Sequence, residues 1–390
     1  MRRRTFTLAG LSLSLAGAAG AQPSAGGVAN DDPIAPILKE TQAPALAGAV
    51  VTKDMIPWLA AEGVRQGPGS AAVSTNDQWH LGSNTKAMTA ALYARLVEQG
   101  KAHWGATVPE LFPGVKIDPA WQSTTIEQLM SHAAGVSDKP VIDSAWLTSA
   151  QSDPRPLPEQ RRAFAGRVFH APPPGKPGQF EYANADFIIA GAAIEQITGG
   201  SWEDAIRSEL FDPLGMASAG FGAPKGDEPW GHGADGAPID PSGLSDNPPA
   251  LGPAGTVHVS LPDYAKFARL FFTDGGGFLT PASIAKLTTP LVSIGTPNNG
   301  YALGWVVSTN RPWAKGPILW HEGSNTLWHA AIVVSPVSGF AVLAASNDEA
   351  RGGKAVQALF VKLVHEYSAN QTPPPAAAAA PQSPAGSPPH

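Results

Sequence analysis

Strand-like runs stand at both ends of this 390-residue chain, with helical patterns between them. Ala45 to Lys53 begins a strand early, and Ala302–Ser308, Ile318–His321, Leu327–Ser335 and Phe340–Ser346 follow late, punctuated by Ser335-Pro336 and Ser338-Gly339. Between them, Ser83 to Gln99 reads as a helix with Ser83 as N-cap and Gly100 as its stop. Thr125 to His132 is a short helix with Thr125 capped against Gln128, and helices follow near Ala185–Ile197, Trp202–Phe211 and Pro262–Phe272. Lys354 to Tyr367 is the last. A lone early strand needs partners, and the late strands supply them. The expected fold class is therefore α/β (α+β): a mixed, mainly antiparallel sheet formed by N- and C-terminal parts, with flanking helices and an inserted, mostly helical lobe.

Composition narrows the function classes. With 15% charged and 43% hydrophobic residues, the chain is neither a coiled coil nor a charge-driven disordered polymer. Its length suffices for a large core without metal or disulfide staples. The absence of cysteine removes disulfides, a thiolate nucleophile and Cys-ligated zinc. A net charge of −6 argues against nucleic acid as a partner.

The ends and loops are distinct. Arg2, Arg3 and Arg4 precede an apolar run, Leu8 to Ala18, and the triplet Ala19-Gly20-Ala21, so residues 1–21 read as a signal peptide, too short and too rich in Gly and Ser for stable membrane insertion. The expected location is periplasmic or secreted. Arg3-Arg4-Thr5-Phe6 resembles a twin-arginine signal, and a Sec signal with a basic start has a similar form. Residues 22–370 form the expected domain of two lobes, and 371–390 a disordered Pro/Ala-rich tail. Ser152–Gly178 and Ala223–Gly255, rich in Pro and Gly, are expected as long surface loops.

Ser83 and Lys86 are spaced i, i+3 at a helix start, where both point the same way and a desolvated lysine favours its neutral form. Such a lysine can accept the serine proton. Ser283 and Lys286 share the spacing, but Ser83 follows Leu81-Gly82, where glycine permits close approach, and sits where helix amides favour negative charge. Tyr182-Ala183-Asn184 is the one Tyr-x-Asn in the chain. A phenol beside an ammonium can be held ionised and relay protons, and an amide can hold a substrate carbonyl; a buried tyrosine with an Asn cap is the plainer alternative. His321-Glu322-Gly323, before an apolar strand, gains meaning only from its order after the other two motifs.

That order resembles the serine hydrolases of the class C β-lactamase-like family, which includes DD-peptidases and family VIII esterases. The resemblance runs from about Ala45 to Tyr367. Leu129-Met130-Ser131-His132-Ala133-Ala134-Gly135, Phe211-Asp212-Pro213-Leu214-Gly215-Met216 and Pro253-Ala254-Gly255 match further family segments, read as structural. The resemblance implies Ser83 as acyl-enzyme nucleophile, Lys86 as its proton acceptor and Tyr182 as the manager of leaving-group and water protons. It implies Asn184, His321, Gly323 and Ser324 for substrate binding, with the backbone N–H groups of Ser83 and Ser324 as oxyanion hole. It implies no metal and no cofactor.

The substrate expected is a small-molecule ester, amide or peptide. His321-Glu322-Gly323 stands where β-lactamases have Lys-Thr-Gly, which removes a fixed cation and, unless Glu322 points across the strand, adds a negative charge beside the nucleophile. True β-lactam turnover is the alternative reading, as is a non-catalytic binding protein on a decayed hydrolase fold, against which the intact Ser83, Lys86 and Tyr182 speak. A metallohydrolase is disfavoured because Asn325, not His, stands at i+4 from His321. Trp320 and Trp328 flank the third motif and are candidates to line an acyl pocket. Oligomeric state is left open.

Overall fold

The early strand does find its partners late in the chain. In the computed structural model, which describes residues 32–242 and 246–370, β1 (Ala45–Thr52) lies between β2 (Trp58–Gly63) and β11 (Phe340–Ser346). Its register with β11 runs from Leu46 opposite Ser346 to Thr52 opposite Phe340. The other strands are β3 (Gln78–His80), β4 (Gly220–Phe221), β5 (Val257–Ser260), β6 (Val292–Ser293), β7 (Asn299–Tyr301), β8 (Val306–Ser308), β9 (Ile318–Ser324) and β10 (His329–Ser335). The main sheet has eight strands in the order β2-β1-β11-β10-β9-β8-β7-β6, antiparallel throughout, and β3-β5-β4 form a small second sheet. The expected signal segment, residues 1–21, and the tail, 371–390, lie outside the described residues.

Alternation along the strands explains the layers, because successive side chains leave opposite faces. Ala45, Ala47, Ala49 and Val51 of β1 join the core shared with the helical lobe, whereas Leu46 and Val50 face Leu359, Phe360 and Leu363 of the C-terminal helix, Gly352–Asn370. Gly48 lets that helix approach, since a Cβ there would stand 2.7 Å from Leu359 Cδ2. In the lobe, the helix Thr85–Glu98 is buried around most of its girth and packs on the helix Asn184–Thr198. Among the described residues no helix is long and apolar enough to cross a membrane.

Three expectations need correction. Ser152–Gly178 is not all loop: the helix Leu157–Phe169 occupies its middle, with Pro156 and Pro158 marking its start and Phe164, Ala165, Val168 and Phe169 buried. Prolines there act as helix-start signals, which a composition count cannot tell from loop residues. The Ala223–Gly255 segment ends in a buried helical turn, Gly252–Gly255, rather than on the surface. The run Ala302–Ser308 is a strand only from Val306, because Ala302 to Trp305 is a tight turn closed by an N–H to C=O bond of 2.8 Å, with Gly304 at φ +78°.

Candidate active site

Ser83 reaches the cleft because the chain leaves β3 at His80 and turns sharply through Leu81-Gly82. It lies within a 3-10 turn, Gly82–Asn84, ahead of the helix Thr85–Glu98, rather than capping that helix. Gly82 has φ +52°, and a Cβ on it would fall 2.3 Å from the Ser324 nitrogen, so glycine is required on both counts. His80 fixes the turn. Its Nδ1 accepts the Gly82 N–H at 3.1 Å, which leaves Nε2–H to donate to Asp246 at 2.9 Å. Asp246 also accepts from Asn325 at 2.8 Å, tying the turn to the end of β9.

Lys86, fully buried, lies one turn behind Ser83. Its Nζ is 3.0 Å from Ser83 Oγ, 2.9 Å from Asn184 Oδ1 and 2.8 Å from the Ala254 carbonyl oxygen. Burial pulls its pKa down to about 7 against the opposing pull of Asp138 and Asp186, so a large neutral fraction is present near neutral pH. Ser283 and Lys286 have no such arrangement. Thr280 caps the Ser283 N–H, and Lys286 Nζ pairs with Glu127 at 3.0 Å above the Trp104 ring.

Tyr182 and Asn184 arrive at the start of the helix Asn184–Thr198, where an extended Ala183 forms the N-cap. Lys86 Nζ lies 4.8 Å from the Tyr182 ring centroid. Burial pushes the Tyr182 hydroxyl pKa up, with the Ser83 hydrogen bond acting the other way, so the phenol keeps its proton; the expected phenolate is not the resting form. Residues read as structural or not singled out also converge here. Asp138 accepts from Asn184 Nδ2 at 3.0 Å and from the Ala185 N–H at 2.8 Å. His132 packs 4.4 Å from the Tyr182 ring, and its Nδ1 meets Asp186 at 2.8 Å. Burial drives the His132 pKa down and the Asp186 pKa up. Ala254 belongs to a segment read as structural, and its carbonyl touches Lys86 directly; no side-chain signal could reveal a backbone acceptor.

The third motif lies inside β9, where period two separates its residues. His321 faces the lobe: Nδ1 meets the Glu322 carbonyl, which only accepts, so Nδ1 carries the proton and Nε2 accepts from the Tyr301 hydroxyl at 3.0 Å. Burial, then Lys86, hold its pKa to about 3, so it is neutral. Both nitrogens are engaged within the protein, so the imidazole braces the strand beneath the cleft instead of reaching out to substrate as expected. Glu322 points across the strand, beside Ile318, Trp320 and Phe360, with burial pushing its pKa up, and the feared negative charge beside Ser83 is absent. Trp320 belongs to that far face and donates to Ser308 at 2.8 Å, while Trp328 is buried, its ring 5.6 Å from that of His80. Both pack structure rather than lining an acyl pocket.

Gly323 and Ser324 press against the nucleophile turn. A Cβ on Gly323 would stand 2.0 Å from the Leu81 oxygen and 2.5 Å from the Ser83 nitrogen. Gly323→Ala is expected to cost about 1–3 kcal/mol of stability and to slow acylation of Ser83 by parting the two backbones. Chemical denaturation and active-site labelling check this; a variant as stable and as readily labelled as the parent would refute the close contact. β8 pairs with β9 only as far as Trp320, so His321–Ser324 run past it along the cleft.

The family model described as Beta-lactamase matches residues 30–366. The chain belongs to the Beta-lactamase family. Members of that family are serine hydrolases, and relatives carry the match through most of the chain. The unguisins hydrolase ungD' of Aspergillus campestris is 27% identical over 357 residues, 86% of this chain, which spans only 65% of that relative's length. Penicillin-binding protein 4 of Amycolatopsis lactamdurans is 27% identical over 353 residues, 86% of this chain and 88% of its own. The solved octameric penicillin-binding protein homologue from Pyrococcus abyssi superposes with a TM-score of 0.71 at 22% identity, over 85% of this chain and 76% of its own, a likeness of fold.

Proposed function

We propose that this member of the family is an exported serine hydrolase that cleaves an ester, amide or peptide bond through an acyl-Ser83 intermediate. The observation that carries the reading is the setting of Lys86: a buried amine with pKa about 7, its Nζ 3.0 Å from Ser83 Oγ and two other contacts to oxygen acceptors. When Lys86 is neutral, its two N–H bonds point to Asn184 Oδ1 and the Ala254 oxygen, and the lone pair faces Ser83. The serine proton passes to Nζ as Oγ bonds to the substrate carbonyl carbon and the carbonyl electron pair moves onto oxygen. The N–H groups of Ser83 and Ser324, brought together by Gly82 and Gly323, receive that oxyanion. Collapse breaks the bond to the leaving group, which takes the Tyr182 proton, and Lys86 returns its proton to Tyr182. Water then attacks the acyl-serine, giving one proton through the same groups to Ser83 Oγ as the carbon–Oγ bond breaks. Export rests on the basic start, the apolar run and Ala19-Gly20-Ala21.

Among the described residues, the three motifs hold no fixed cation for an anionic ligand, since His321 is neutral and Lys86 is poised to be so. A missing charge-assisted hydrogen bond removes about 1.5–3 kcal/mol, or roughly ten- to a hundredfold in affinity. Hydrolysis of an uncharged short-chain p-nitrophenyl ester is therefore expected to exceed turnover of a chromogenic cephalosporin in kcat/KM. Steady-state kinetics on one preparation decide it, and a higher value for the cephalosporin would reverse the ranking.

A further inference from the structure

An asparagine amide is nearly symmetric in shape and can turn over, exchanging its oxygen and nitrogen. At Asn184 that exchange matters, because the atom facing Lys86 Nζ at 2.9 Å must be an acceptor if Lys86 is to aim its lone pair at Ser83. An inverted amide would offer N–H to the amine and compete with Ser83 for the lone pair. Asp138 stands on the other side of the amide. One of its oxygens accepts from Asn184 Nδ2 at 3.0 Å and the other from the Ala185 N–H at 2.8 Å, so both are committed to donors. We propose that Asp138 is a positioning residue for acylation: it locks the Asn184 amide with its oxygen toward Lys86 and thereby directs the lone pair of Lys86 to Ser83.

The same carboxylate acts on Lys86 electrostatically. Around the amine stand Asp138, Asp186, His132, His321 and Tyr182. Burial keeps the two histidines and the tyrosine neutral and drives Asp186 toward its protonated form, whereas half-buried Asp138 accepts two N–H bonds as a carboxylate. Asp138 is the largest contribution opposing the desolvation of Lys86. A carboxylate at this point favours the ammonium, so removing it lowers the pH at which Lys86 becomes neutral.

The inference rests on the acyl-Ser83 reading, and its test separates the two. The rate of fluorophosphonate labelling at Ser83 is measured against pH for the full chain, for Asp138→Asn, and for the exchange Asp138→Asn with Asn184→Asp. In the single variant, residue 138 cannot accept from both donors, so labelling is expected to fall about tenfold or more and its acid limb to move down by roughly half a pH unit or more. The exchange satisfies every hydrogen bond again, with residue 138 donating to residue 184 and accepting from Ala185, and sets a carboxylate directly on Lys86 at the favourable start of a helix. Its acid limb is expected above that of the parent by about one pH unit or more. A merely structural role would slow both variants without moving the limb in opposite directions. Thermal melts establish that each protein is folded, and either variant alone suffices to read its limb. Labelling at Ser83 with an unmoved or wrongly ordered limb overturns the inference about Asp138. Failure of the parent to label at Ser83 overturns the acylation reading and this inference with it.

Discussion

Ser83→Ala is expected to abolish covalent labelling by a fluorophosphonate and to lower ester hydrolysis by at least about 10³-fold, while Ser283→Ala is expected to leave both near the parental level. The contrast follows from what surrounds two serines with the same spacing to a lysine. Ser83 has a buried amine 3.0 Å from its oxygen, and its backbone is pressed against that of Gly323 and Ser324. The Ser283 hydroxyl lies against Thr280 and Glu98, and Lys286 is held by Glu127. The amine that the spacing would offer Ser283 is thereby engaged elsewhere. Peptide mass analysis after labelling locates the adduct, and labelling that survives Ser83→Ala but is lost in Ser283→Ala would move the nucleophile. Ser83 is half-buried at the turn and its side chain is small, so a melting temperature close to the parent's is expected alongside the lost activity.

The sheet was legible because its evidence lies in local patterns: β-branched and apolar runs at both chain ends cannot be satisfied separately. Ser83, Lys86, Tyr182 and Asn184 were legible because each is a side chain in a spaced motif. Asp138 was not, since it acts on Asn184 from 46 residues away and only the fold brings them together. The Ala254 carbonyl was not, because every residue has one. Glu322 could have been placed correctly: treated as part of a strand, His321 and Glu322 must face opposite ways, but the expected strand Ile318–His321 stopped one residue short of it. Short elements escaped for a different reason. Gln78–His80 and Val257–Ser260 are three and four residues long, too brief for periodicity, and they exist because they pair with each other.

Lys86→Arg is expected to slow acylation by at least about 10², and Lys86→Met by as much or more, for one chemical reason. Arginine keeps a charge and a donor but does not give up its proton, so it cannot accept that of Ser83. With the neutral amine as the proposed base, acylation in the parent is expected to rise with pH through about 7. The same displaced equilibrium has a stability signature whose sign is fixed. The folded pKa of Lys86 lies below the unfolded value of 10.5. Between about 7 and 10.5 the unfolded chain therefore holds a proton that the folded one has released. Stability contributed by this group consequently increases with pH across that window and is at its lowest, and flat, below it. Denaturation of parent and Lys86→Met at pH 7 and pH 9.5 should show a steeper gain for the parent, because methionine has no proton to exchange. Near-parental acylation in a folded Lys86→Arg protein, or an identical pH dependence of stability in parent and Lys86→Met, would mean that Lys86 stays charged and that another group takes the serine proton.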